Sequence, residues 1–181
     1  NNSCGQPHNR INDAKCVLQR LVDAYGDVVF GLARYFETCS APCNCSCTYT
    51  LCGTCNPDGA GGNGTGCPAA GSTADQGQIL VPIADDNQAN ILEWVNYTCG
   101  ACGIAAGTNP ELNAVTWTPL GGSLRGARRY YQGLDPTFPT SPIAGDVFAG
   151  CRPYSGILLT DGQETCAGRN LAATAATELR A

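Results

Sequence analysis

This sequence has no methionine, and its 181 residues include one histidine, His8, and one lysine, Lys15. With so little imidazole, a histidine-centred catalytic triad has a single candidate, and His8 stands beside a proline in a lead-in segment. Charged residues make up 14% of the chain and the formal net charge is -5. A lysine-arginine surface able to neutralise a phosphate backbone is therefore missing. The one basic concentration, "RGARRYY" at 125–131, spaces its arginines as a solvated helix face. No apolar run approaches the ~20 residues that span a bilayer. No P-loop and no G-x-G-x-x-G occurs, and neither end shows a signal peptide or lipidation motif. Together these absences argue against a nucleic-acid partner, a membrane span, a nucleotide site and an enzyme.

Cysteine, by contrast, is abundant. Thirteen cysteines in 181 residues approach the density of disulfide scaffolds and point to an oxidising, extracellular compartment. The odd count leaves one thiol free or paired beyond these residues. Four N-x-S/T sequons begin at Asn1, Asn44, Asn63 and Asn96.

Along the chain, residues 9–25 place Ile11, Ala14, Leu18, Leu21, Val22 and Tyr25 on one helical face. Asn9 is the expected cap, Asp13 lies in the first turn, and Gly26 is the stop. "DVVFGLARYF" (27–36) reads as a strand buried on both faces. Residues 38–77 hold seven of the thirteen cysteines and many glycines without periodicity, and read as a disulfide-rich insertion. "QILVPI" (78–83) reads as a strand. A helix over 85–97 has an acidic start at Asp85 and Asp86 and turns Ile91, Leu92 and Val95 inward. A further helix starts near Gly121 and ends before Gly133. The proline-rich stretch 134–153 reads as loop, "YSGILLT" (154–160) as a central strand, and the alanine-rich end as a helix. This alternation of helix and strand implies an α/β fold.

Two oxygen-bearing side chains fall at loop positions next to buried elements. Asp161 follows the strand "GILLT", at the edge where open α/β sheets bind ligands. Thr118 lies in "TWTPLGGSL", just before a helix. Taken singly, Thr118 reads as a helix cap and Asp161 as a turn former. Taken together they are hard donors suited to Mg²⁺, Mn²⁺ or Ca²⁺. Glu93 and Glu111 have no evident partner in the sequence.

Several segments, in order, carry a wider likeness: "RINDAKCVLQRLVDAYGDVVFGLARYF", "VPIADDNQANILEWVN", "TPLGGSLRGARRY" and "GILLTDGQETC". Over roughly 100 residues the chain resembles the von Willebrand factor A (VWA) family, in wording closest to bacterial secreted versions such as those of type IV pilus tip adhesins. The resemblance implies a VWA-like (Rossmann-like) three-layer sandwich over 1–181, interrupted by the 38–77 insertion. It also implies a metal-ion-dependent adhesion site, with Thr118 coordinating the cation and Asp161 binding it directly or through water. A protein or surface ligand would complete the shell with an oxygen of its own. The expected function is extracellular, cation-dependent adhesion. The alternative is a structural subunit of a secreted or surface filament, in which the disulfide-stapled scaffold remains and the site is not functional.

The family's D-x-S-x-S motif and first strand do not occur in "NNSCGQPH", and its last two strands do not follow the final helix. In the family's sheet the first strand lies between those corresponding to 27–36 and 156–160. Three accounts follow: these strands come from the rest of the polypeptide, a neighbouring chain donates them, or the fold is rearranged and the site inactive.

Two cysteine expectations remain. Cys52, Cys55, Cys99 and Cys102 form two C-x-x-C units, the pattern of a zinc knuckle, although disulfides are the more economical reading among so many cysteines. Cys4 and Cys166 both fall at the metal-bearing edge that the resemblance implies, and are candidates for a disulfide.

Overall fold

The computed structural model describes residues 1–35, 77–97, 112, 118–160, 162–164 and 169–180. The expected insertion lies outside the described residues up to position 76, as do Asp161, Glu111, Cys166 and the four cysteines of the C-x-x-C units. The described part is a mixed α/β structure of four helices and one two-stranded sheet. It divides into two compact units.

The first unit is built on helix α1, Arg10–Ala24, and helix α2, Gln88–Trp94. Asn9 caps α1 as its sequence position predicts: its side-chain oxygen accepts the Asn12 N–H at 2.8 Å, which satisfies one of the orphan amides of the first turn. The residues ahead of it fold back along the helix. Asn2 organises this turn, its Oδ1 accepting the N–H groups of Cys4 and Gln6 while its Nδ2 donates to the Asn12 carbonyl and to Asp13 Oδ1. Cys4 thereby arrives beside Cys16, and the two form a disulfide with Cα atoms 5.7 Å apart. The expected Cys4–Cys166 pairing is thus excluded, because the Asn2 turn brings Cys4 to Cys16 in the second turn of α1.

The buried face of α1 is also rotated from the one read in the sequence. Asn12, Lys15, Cys16 and Val22 are buried, whereas Tyr25 is 53% exposed. Specific partners outweigh apolar periodicity here. The Asn12 carbonyl accepts the Tyr97 hydroxyl at 2.9 Å, the Lys15 ammonium lies 5.7 Å from the Tyr97 ring centroid, and Gln19 donates to the Val95 carbonyl. Tyr97 adopts φ 63°, a left-handed conformation costing roughly 1–2 kcal/mol for a residue with a β-carbon, and its contacts to α1 offset that strain. Ile91 in α2 and Val95 at its C-cap are buried as expected, and Leu92 is half-buried. The helix starts at Gln88, after Asp85 and Asp86, because Asp86 at φ 60° breaks the helical path.

The second unit holds β1, Leu32–Tyr35, β2, Gly77–Val81, helix α3, Leu120–Tyr131, and helix α4, Arg169–Arg180. β1 and β2 pair antiparallel, with Ala33 opposite Ile79, Arg34 opposite Gln78 and Tyr35 opposite Gly77, and a register shift between Leu32 and Ala33. β1 is much shorter than the strand expected over 27–36. Nor is it buried on both faces, since Ala33 is exposed. Arg34 donates to Gln78 Oε1, and burial lowers its guanidinium pKa to about 10.

Helix α3 packs on β2 backbone to backbone. A β-carbon built on Gly126 would meet the Gly77 nitrogen at 3.0 Å, and one built on Gly77 would meet the Ser123 carbonyl oxygen at 2.9 Å. Two facing glycines permit this approach. Buried Tyr130 then fastens the end of the helix, its hydroxyl oxygen accepting the Ile83 N–H at 2.7 Å. Burial raises the Tyr130 pKa, a rise that the Ile83 bond partly opposes and Asp135 reinforces. The arginine-bearing face of α3 is only partly solvated. Arg129 is exposed, whereas Arg128 faces α4 and pairs with Glu178 at 3.6 Å. Gly133, at φ 71°, ends α3 in the manner expected of a glycine stop.

The largest correction concerns 154–160. No strand forms there, and residues 155–160 are all exposed, with Ile157 at 70%, Leu158 at 43% and Leu159 at 42%. The apolar content is that of a central strand. A strand, however, exists only through the ladder of a neighbour, and among the described residues none pairs with it.

Candidate functional site

The loop ahead of α3 and the loop following residue 160 meet. A β-carbon built on Gly162 would lie 3.6 Å from Thr118 Oγ1. The second loop is turned tightly by Thr160, whose hydroxyl oxygen accepts the Gly162 N–H and whose O–H donates to the Gly162 carbonyl, both at 3.2 Å. Of the two expected cation ligands, Thr118 therefore sits against the residue that follows the other. Asp161 itself is outside the described residues.

Thr118 does not cap α3. The N-cap position is Pro119, which is fully buried, and no side chain on the cap residue satisfies the first amides. That role falls to Glu164, whose Oε2 accepts the Gly121 N–H at 2.7 Å. A carboxylate at a helix start is favoured by both the orphan N–H groups and the macrodipole. Glu164 was missed in the sequence. Its signal was present: a proline at the cap offers no acceptor, and a carboxylate stands three residues beyond Asp161 in a loop already expected to approach this helix.

In sequence, these two loops carry a threonine hydroxyl and the Asp161 carboxylate, both hard oxygen donors, the latter outside the described residues. Such donors fit Mg²⁺, Mn²⁺ or Ca²⁺ and not a thiophilic ion. Among the described residues no group of three or more His, Cys, Asp or Glu side chains is placed to hold a metal. The lone histidine lies elsewhere: His8 is exposed, with Nδ1 3.3 Å from Asp13 Oδ1. Asp85, Asp86 and Glu93 are exposed on the first unit.

A different carboxylate organises the loop after α3. Asp146 accepts the Tyr154 hydroxyl and the Phe148 N–H, and lies 3.3 Å from the Arg152 guanidinium. The Tyr154 bond, then the Phe148 bond and the Arg152 charge, hold its carboxyl below the usual range. The reciprocal bond to Asp146 raises Tyr154. Cys151, in this same loop, is a free and exposed thiol.

Among the described residues no helix is long and apolar enough to cross a membrane. Compared with family models, with curated proteins and with solved structures, the chain matches none.

Proposed function

We propose that this chain is an extracellular, non-catalytic ligand-binding domain of VWA-like design, which engages a protein or surface ligand through a divalent cation. The observation that carries this reading is the closeness of Thr118 Oγ1 to Gly162, 3.6 Å from where a β-carbon on that glycine would lie. It joins the "TPLGGSL" loop to the "ILLTDG" loop, the two segments whose oxygen donors the cation would need. Thr118 and Asp161 would hold the ion, which when bound would supply a positive centre for an anionic oxygen of the ligand. Glu164 is a positioning residue in this scheme. By tying the second loop to the first turn of α3, it keeps the two donor-bearing loops together.

The strand that residues 155–160 lack comes, in this reading, from the rest of the polypeptide or from a neighbouring chain. Secretion follows from the cysteine content and agrees with the Cys4–Cys16 disulfide.

Manganese titration followed by electron paramagnetic resonance tests the proposal, with the circular dichroism of each variant as a control for folding. The intact chain should bind one Mn²⁺. Asp161→Ala should abolish binding and Thr118→Ala weaken it at least tenfold, both with unchanged dichroism. Retention on carboxylate-coated beads should then require the cation and fail on chelation. Absence of Mn²⁺ binding by the intact chain, or equal binding by Asp161→Ala, refutes the cation site. The filament-subunit reading, supported by the exposed apolar residues 157–159, would then take its place.

A further inference from the structure

Gly162 is a glycine that its own backbone does not require. Among the described residues the glycines with positive φ are Gly5 and Gly133, so position 162 does not use the left-handed region that favours glycine. Burial does not require it either, because Gly162 is exposed. What distinguishes the position is the one atom a side chain there would meet. Among the described residues, a β-carbon on Gly162 has Thr118 Oγ1 at 3.6 Å as its single neighbour within 4 Å, whereas β-carbons on Gly145, Gly150 and Gly156 have none. The glycine thus leaves a space, open to solvent, against the hydroxyl of a half-buried threonine.

The peptide bordering this space is held from both sides. The Thr160 hydroxyl oxygen accepts the Gly162 N–H, and its O–H donates to the Gly162 carbonyl, both at 3.2 Å. Two residues beyond Gly162, Glu164 Oε2 accepts the Gly121 N–H at 2.7 Å. One anchor lies within the loop and the other on the first turn of α3. Thr160 is itself exposed, so its hydroxyl serves this turn and its side chain fills no core.

We infer that Gly162 determines access to the cation that Thr118 would hold, and that Thr160 is a positioning residue acting through Gly162. Both roles rest on the cation reading above and add the route by which the ion reaches the threonine hydroxyl, through the space left at 162. A larger side chain there would stand in ordinary van der Waals contact with Oγ1, a separation that strains nothing in the ion-free chain. Its cost would arise only when a cation and its other oxygen ligands must share the space. Thr160 works differently. Polar groups that orient metal donors without touching the metal commonly lower its affinity roughly 10–100-fold when removed.

Mn²⁺ titration followed by electron paramagnetic resonance, paired with nuclear magnetic resonance of the ion-free chain, tests both roles. Gly162→Val should weaken Mn²⁺ binding about tenfold, by overfilling the space, and Gly162→Ala less, with the urea midpoint unchanged in each. Gly156→Ala, whose β-carbon meets nothing within 4 Å, should leave affinity unchanged. Thr160→Val should weaken binding about tenfold, and Thr160→Ser, which keeps the hydroxyl, should stay within about twofold of the intact chain. In the ion-free chain, the methyl of Gly162→Ala should show a nuclear Overhauser contact to the Thr118 side chain. The Gly162 amide should lose hydrogen-exchange protection in Thr160→Val and keep it in Thr160→Ser. Mn²⁺ binding by Gly162→Val equal to that of the intact chain overturns the access role, as does an equal weakening by Gly156→Ala. Undiminished binding by Thr160→Val overturns the positioning role. An intact chain that binds no Mn²⁺ defeats the cation reading and these roles with it, even with the ion-free contacts in place. An intact chain that binds Mn²⁺, with variants that bind alike, defeats these roles alone.

Discussion

Gly126→Ala is a sharp test of how the second unit is packed, because two physical effects oppose each other there. Alanine in a helix interior is favoured over glycine by about 1 kcal/mol, so on propensity alone the substitution stabilises α3. The new β-carbon, however, would lie 3.0 Å from the Gly77 nitrogen, 3.1 Å from its α-carbon and 3.2 Å from its oxygen. All three are backbone atoms of a paired strand and have no rotamer by which to move aside. Relief requires α3 and β2 to part by roughly half an ångström, and forced overpacking of this kind costs about 1–3 kcal/mol. The net expectation is a loss of about 1 kcal/mol. Gly121→Ala supplies the comparison on the same helix. Its β-carbon would meet backbone atoms of Leu171 and Ala172 at 3.4 Å, at the edge of ordinary contact, so the substitution should be neutral or mildly stabilising. Urea denaturation followed by circular dichroism at 222 nm, with disulfides intact, gives both values. If Gly126→Ala is as stable as Gly121→Ala or more so, the glycine-to-glycine approach is not what seats α3 on β2.

Other consequences are equally concrete. Replacing Cys4 and Cys16 together by serine opens a loop of about a dozen residues, and chain entropy puts the loss near 3 kcal/mol; a urea midpoint unchanged by the double substitution would show the disulfide to be dispensable. Tyr130→Phe leaves the Ile83 N–H without its partner in a buried setting and should cost about 1–3 kcal/mol, readable in the same denaturation experiment. For the Asp146 loop the pH dependence has a definite sign. Its folded pKa lies below the unfolded one, so the clasp to Tyr154 and Arg152 contributes fully above about pH 4, the unstructured aspartate value, and is lost as pH falls through the lowered folded value. Hydrogen-exchange protection across residues 143–154, taken relative to the intrinsic rate at each pH, should therefore fall in that acid range, and Asp146→Asn should show the reduced protection already at neutral pH.

Much of the secondary structure was legible in the sequence, because the signals are local. Asn9 as cap, the glycine stop after α3, the β2 strand and the alanine-rich last helix each depend on residues within a turn or two of one another. Likeness of wording expects Thr118 and Asp161 to share a site; the structure places Thr118 Oγ1 near Gly162, while Asp161 lies outside the described residues. Glu164 escaped notice because a carboxylate's role at a distant helix start depends on which loop reaches that helix.

Sequence alone therefore determined composition and several helix ends, the Asn9 cap and the Gly133 stop among them, since propensity, capping and turn chemistry are short-range. Only tertiary structure decided the rest. Tertiary contacts, and not the apolar stripe, chose the buried face of α1, because Asn12 and Lys15 found specific partners around Tyr97. Chain path joined Cys4 to Cys16. And the aliphatic run at 157–159, a strand by every local measure, stays outside any sheet, because a strand is completed by its neighbour's hydrogen bonds, which no residue within the segment can supply.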